Sequence, residues 1–160
     1  MLRTPHLERS REVRGETRSK IRTITKYMFI KTPTVLFVED ENDLIDVYHL
    51  IFDDHGYRFL STKNIDEAML LCQTDNVDLV LLDILLPGNE GEMEKLGFIF
   101  LEKLKRNEKT KNIPVIILTN LNSSEDKKKG LSLGADDYLA KSEKTPPEGL
   151  AKVEKLLGKK

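Results

Sequence analysis

From Thr34 onward the chain alternates short unbroken apolar runs with stretches whose apolar residues recur every three to four positions. The runs are TVLFV, YRFLS, DLVLL, IPVIIL and DDYLA. A continuous run of this length predicts a strand covered on both faces, as in a parallel sheet. Between the first two runs, NDLIDVYHLIFDDHG places Leu44, Val47, Tyr48 and Ile51 at helical spacing and stops at Gly56. A second helix carries Ile65, Ala68, Met69 and Cys72 on one stripe, which makes Cys72 a packing residue. A third, GFIFLEKLKR, carries Phe100, Leu101 and Leu104. SSEDKKKGLSLG reads as a mostly polar helix ending at Gly134, with Lys127 to Lys129 on a solvated face. In the last helix Thr145-Pro146-Pro147-Glu148 combines a capping box with prolines in the first helical positions, and Leu150, Val153 and Leu157 form the buried face.

Five strands alternating with five helices predict an α/β fold. The expected form is a doubly wound five-stranded parallel sheet of flavodoxin-like (βα)5 type, strand order 2-1-3-4-5, because parallel neighbours need right-handed crossovers. Such sheets bind ligands beyond the carboxyl ends of their strands, at the switch point between strands one and three. The residues found there are Glu39 and Asp40 after the first strand, Asp83 after the third, Thr119 at the end of the fourth and Lys141 after the fifth.

Asp83 is the residue that demands an explanation. It stands inside DLVLLDILLPG, and an unpaired carboxylate in such a run costs several kcal/mol to desolvate or is forced to neutralise. Clustered carboxylates with open positions suit Mg²⁺, which takes oxygen ligands and keeps several waters. A site with Mg²⁺, a lysine and a hydroxyl is equipped to neutralise a transferring phosphoryl group, with Asp83 as the nucleophile. Each residue also has a plainer reading. Glu39 and Asp40 alone would serve as a solvated pair favouring a helix N-terminus. Lys141 would be a surface lysine, Thr119 a strand-end residue and Tyr138 a packing aromatic.

Charge and composition add a boundary. Through Thr32 the chain has nine basic and three acidic residues, so this segment carries +6 and, with a net charge of -1, the remainder carries -7. Residues 1–32 are expected to be a basic, disordered or weakly helical extension, and 33–160 the folded domain. A basic arm has the composition to meet nucleic acid or anionic lipid, and its Arg and Ser content also resembles a transit peptide. No apolar stretch is long enough to span a membrane. A single cysteine excludes an intrachain disulfide, and a cytoplasmic location is expected.

The motifs VLFVEDE, LVLLDILLPG, VIILTN and GADDYLAK, in this order and spacing, resemble the receiver domain of two-component response regulators. The likeness runs from about Thr34 to Leu157 and is nearest to stand-alone receivers of the chemotaxis-regulator type, with no output domain expected. It implies that Asp83 accepts a phosphoryl group from a histidine kinase or phosphotransfer protein. It further implies that Asp40 and Asp83 bind Mg²⁺, with Glu39 acting directly or through water and the Leu85 carbonyl as a further ligand. Thr119 and Lys141 would bind phosphoryl oxygens, and Tyr138 would change rotamer as Thr119 moves. The output surface would be the fourth helix, fifth strand and fifth helix, meeting a separate protein and not nucleic acid. Such a protein is a signalling phosphoacceptor and not an enzyme with a separate substrate.

Four departures from the family pattern stand out. NEGEMEKLG delays the glycine that opens the third helix to Gly97, and its Glu90, Glu92 and Glu94 would discourage or select a phosphodonor. Ser142 follows Lys141 where proline, with a cis bond, is usual. Asn120 replaces a small residue after Thr119, narrowing access. Leu85 and Leu121 cannot orient an attacking water, which predicts slow self-dephosphorylation. Two other functions remain open on the residues: a receiver-like adaptor that works without phosphate, and a small Mg²⁺-dependent phosphohydrolase.

Overall fold

The computed structural model describes residues 31–158. The expected disordered basic extension covers residues 1–32, of which 1–30 lie outside the described residues. In chain order the elements begin with β1 (Thr34–Val38), α1 (Asn42–Asp54), β2 (Arg58–Thr62), α2 (Ile65–Thr74) and β3 (Leu79–Leu82). Two short strands follow, β4 (Leu86–Pro87) and β5 (Met93–Glu94). The chain continues with α3 (Leu96–Arg106), β6 (Val115–Thr119), α4 (Ser124–Ser132), β7 (Asp137–Ala140) and α5 (Pro146–Leu156). The main sheet has the order β2-β1-β3-β6-β7 with every pair parallel, which is the 2-1-3-4-5 order once the short strands are set aside.

The unbroken apolar runs behave as expected of strands covered on both sides: every residue of β1, β3 and β6 is buried. Alternation along each strand divides their side chains between two cores. Val35, Phe37, Leu79, Leu81, Ile116 and Leu118 face Tyr48 and Phe52 of α1 and Leu150 and Val153 of α5. Leu36, Val38, Val80, Leu82, Val115 and Ile117 face Ala68 and Cys72 of α2 and Phe100, Leu101 and Leu104 of α3. Burial pushes the Cys72 thiol up to about 12, so it packs and does not react.

Two expectations change. The buried stripe of α1 is Tyr48 and Phe52, with Leu44, Ile45 and Ile51 partly covered, while Val47 is 45% exposed. Aromatic packing sets this rotation, since the Tyr48 ring lies 4.9 Å from Phe37 and Phe52 lies 5.2 Å from Tyr57. The segment after Pro87, where the sequence predicts no strand before α3, is a β-hairpin. β4 and β5 pair antiparallel, Gly88 N–H donates to the Glu92 carbonyl at 2.7 Å, and Gly91 takes the positive φ of 89° that its turn requires.

Register brings the strand ends level. Val38 lies opposite both Thr62 and Leu82, Leu82 opposite Ile117, and Thr119 opposite Ala140. The next residue after Val38 is Glu39, after Leu82 Asp83, and after Ala140 Lys141.

Candidate phosphoacceptor site

Backbone bonds that continue the sheet ladder place each site residue. Asp83 N–H donates to the Val38 carbonyl at 2.9 Å, Glu39 N–H to Thr62 at 3.0 Å, and Lys141 N–H to Thr119 at 2.9 Å. Behind Asp83 the chain passes close to α3, where Gly97 N–H donates to the Ile84 carbonyl at 3.0 Å. A Cβ on Gly97 would lie 2.3 Å from the Asp83 carbonyl oxygen, so only glycine fits there.

The side chains then meet. Lys141 Nζ lies 2.6 Å from Asp83 Oδ2 and 2.6 Å from Glu39 Oε2, with the lysine side chain only 10% exposed. Asp83 Oδ1 accepts from the Leu85 N–H at 3.1 Å. Glu39, completely buried, accepts through Oε1 from the N–H groups of Asp40 and Glu41, both at 3.1 Å. Its Oε2 has the ion-pair contact but no donor aligned as a hydrogen bond. Glu39, Asp40 and Asp83 each offer a carboxylate oxygen, and these lie within 4.8 Å of one another.

Two buried acids thus share one ammonium. Burial raises the Glu39 carboxyl above its ordinary 4.5; the close ion pair with Lys141 opposes this, and the Asp83 charge adds to it. Burial alone would lower the Lys141 ammonium, but its hydrogen bond to Asp83 and its ion pairs with Asp83 and Glu39 win and raise it above 10.5. The shifts are compatible, because the single cation is held by both acids while neither acid holds it alone. The arrangement fits a hard divalent cation: the donors are carboxylate oxygens, and Glu39 Oε2 is a buried anionic oxygen lacking an aligned donor.

Comparison with known proteins identifies the domain that carries this geometry. The family model for the response regulator receiver domain matches residues 35–154. The chain belongs to that family. The phosphate regulon transcriptional regulatory protein PhoB of Escherichia coli is 32% identical over 123 residues, covering 77% of this chain and 51% of PhoB. The DNA-binding dual master transcriptional regulator RpaA of Synechocystis is 33% identical over 125 residues, covering 78% of this chain and 49% of that protein. This chain therefore spans about half the length of the curated relatives it matches. Among solved structures, a putative response regulator from Chloroflexus aurantiacus superposes with a TM-score of 0.69 at 27% identity, covering 80% of this chain and 99% of that one. The BeF3-activated receiver domain of Klebsiella pneumoniae RstA gives 0.64 at 27% identity, covering 76% and 95%.

In this receiver the other expected residues Thr119 and Tyr138 lie on β6 and β7 of the same sheet. Thr119 is fully buried at the end of β6, and its Oγ1 accepts from the Leu121 N–H at 3.4 Å, a long bond. Tyr138 is turned inward at 8% exposure and its hydroxyl donates to the Leu121 carbonyl at 2.7 Å. Burial, with the Asp126 and Asp83 charges, pushes that phenol up to about 12, so it remains a donor at neutral pH. Gly130 of α4 makes room for it, since a Cβ there would lie 3.4 Å from the Tyr138 ring and 2.4 Å from Ile117 Cδ1. Asn120 is exposed, Leu121 and Leu85 are partly buried, and Lys141–Ser142 is a trans bond, as are all described peptide bonds.

Sequence reasoning missed the partner of the β6–α4 turn. Asp126, 8% exposed, receives Lys95 Nζ at 2.6 Å on Oδ1 and the Ser123 hydroxyl at 2.7 Å on Oδ2. The available signal was Ser123 followed three residues later by an acid, a helix N-cap pattern. Nothing in the spacing pointed to Lys95, which lies 31 residues away.

Proposed function

We propose that this receiver is a phosphorylation-operated switch, with Asp83 accepting a phosphoryl group from a histidine kinase or phosphotransfer protein. The observation that carries the reading is Lys141 Nζ at 2.6 Å from both Asp83 and Glu39, beside Asp40 at the switch point of the sheet. A lysine so placed neutralises Asp83 at rest and pairs with a phosphoryl oxygen afterwards. In the transfer, an Asp83 carboxylate oxygen bonds to phosphorus as the phosphorus–nitrogen bond of the donor histidine breaks. The imidazole leaves with the electron pair and takes up a proton. Thr119 donates its hydroxyl to a second phosphoryl oxygen, exchanging its long contact with Leu121 for a charge-assisted bond. Asp40, Asp83, Glu39 directly or through water, and the Leu85 carbonyl would hold Mg²⁺, which would supply the remaining neutralisation of phosphoryl charge.

Because Tyr138 is bonded to Leu121, movement at Thr119 changes the α4–β7–α5 face, where a separate partner protein binds. The reading assigns these residues no nucleic-acid contact and places the protein in the cytoplasm; no described helix is long and apolar enough to cross a membrane. Leu85 and Leu121 offer an attacking water no polar group, so the acyl phosphate decays slowly.

The test is incubation with Mg²⁺ and acetyl phosphate, read by intact mass. One phosphoryl adduct is expected, labile to hydroxylamine and absent in Asp83→Asn. Failure to form it, or its survival in Asp83→Asn, overturns the reading.

A further inference from the structure

The inserted hairpin ends on a residue that the receiver site does not use. β5 runs directly into Lys95, at the cap position of α3, where its side chain makes no capping bond. Its ammonium instead crosses to α4 and pairs with Asp126 at 2.6 Å. Asp126 in turn accepts from the Ser123 hydroxyl at 2.7 Å, while Ser123 Oγ accepts from the Asp126 N–H at 3.0 Å. Ser123 closes the short turn that starts at Thr119, and that turn carries Leu121, the acceptor of the Tyr138 hydroxyl. A second tie runs the same way: Lys129 Nζ lies 4.5 Å over the ring of Phe98 in α3.

We propose that Lys95 and Asp126 are positioning residues, an ionic latch by which the hairpin's exit fixes the start of α4 and so holds Thr119 and Tyr138 as they stand. The latch acts on the segment between two fixed points. At one end Thr119 is anchored by the ladder, with its carbonyl accepting from Lys141 N–H. At the other, Ser123 is fixed only through Asp126 and the cap. With Lys95 removed, Asp126 keeps its local bonds within the cap but loses its tie to α3, so the first turn of α4 can shift while the Lys129–Phe98 contact still holds its later part. Leu121 then moves away from the Tyr138 hydroxyl, and the inward Tyr138 arrangement, the one that a phosphoryl group selects through Thr119, loses population. The latch deepens the phosphoacceptor reading by adding a control on the same Thr119 and Tyr138 pair.

The experiment compares Lys95→Gln and Lys95→Arg with the parent chain using two readouts. The first is the ring resonances of Tyr138 in protein labelled at tyrosine, assigned with Tyr138→Phe. They are expected to shift toward solvent-exposed values in Lys95→Gln and to return in Lys95→Arg. The second is affinity for beryllofluoride with Mg²⁺, a mimic of the phosphoryl group, expected to weaken about fivefold in Lys95→Gln and recover in Lys95→Arg. Unmoved Tyr138 resonances overturn the latch whatever the ligand does. So does beryllofluoride binding that is equal or tighter in Lys95→Gln. No beryllofluoride adduct on the parent chain overturns the phosphoacceptor reading instead, and the Tyr138 resonances still decide the latch.

Discussion

Two ion-pair clusters lie near the carboxyl edge of the same sheet and are built to opposite ends. At the latch one carboxylate, Asp126, has a donor on each oxygen, the Lys95 ammonium on Oδ1 and the Ser123 hydroxyl on Oδ2. Its carboxyl is held below the ordinary 3.8, first by the Lys95 bond and then by Ser123. At the site two buried carboxylates compete for Lys141, Glu39 Oε2 has no aligned donor, and the Glu39 carboxyl is raised. A satisfied cluster stabilises the fold as it is. An unsatisfied one holds the fold ready for a cation or a phosphoryl group, and the fold pays for that readiness in stability.

Removing Lys141 should separate the two most sharply. Lys141→Met leaves Glu39 and Asp83 buried without a counter-charge and should cost about 3 to 5 kcal/mol in urea unfolding. Adding Glu39→Gln should restore part of that loss, because the residues are in contact and their effects do not add. Millimolar Mg²⁺ should restore part of it as well, by binding the folded state alone. A Lys141→Met chain as stable as the parent would show that the acids are not charged together.

Glu39→Gln alone should act in the opposite direction. A raised carboxyl binds its proton more tightly folded than unfolded, so its contribution to stability is complete below pH 4.5 and is lost as pH rises through the folded value. At pH 7 the parent bears that cost and the variant does not. Glu39→Gln should therefore be the more stable chain at pH 7, with the gain vanishing in acid, while divalent-cation affinity falls. Loss of stability at pH 7 would mean that the bond to Lys141 outweighs burial.

The same contrast governs what the sequence made legible. The site depends on strand-end positions, and a strand end is visible as the residue where an apolar run stops; Glu39, Asp83, Thr119 and Lys141 all stand at such places. The parallel order then brings these ends to one edge of the sheet, so their convergence is legible in the sequence. The rotation of α1 was not, because Val47 and Phe52 both suit a helical stripe and only packing of Tyr48 on Phe37 selects between them. Nor was the hairpin: each of its strands has two residues, too short for an alternation to show. The latch was invisible for a further reason. A lysine on an exposed segment has many possible partners, and only the tertiary path of α3 past α4 picks out Asp126.

Acid titration of the latch gives the smallest effect and the clearest sign. The Lys95 side chain is half exposed, so the pair's contribution is screened, and Lys95→Gln should cost less than about 1 kcal/mol at pH 7. The Asp126 carboxyl is lowered on folding, so its contribution is present above pH 3.8 and is lost as pH falls through the folded value. The stability gap between parent and Lys95→Gln should therefore close in acid from a parent advantage, whereas the gap for Glu39→Gln closes from a parent deficit. Urea unfolding of both variants between pH 7 and pH 3 measures the two slopes. Slopes of the same sign would mean that both clusters are ordinary ion pairs, and the distinction between a completed pair and a waiting one would fall.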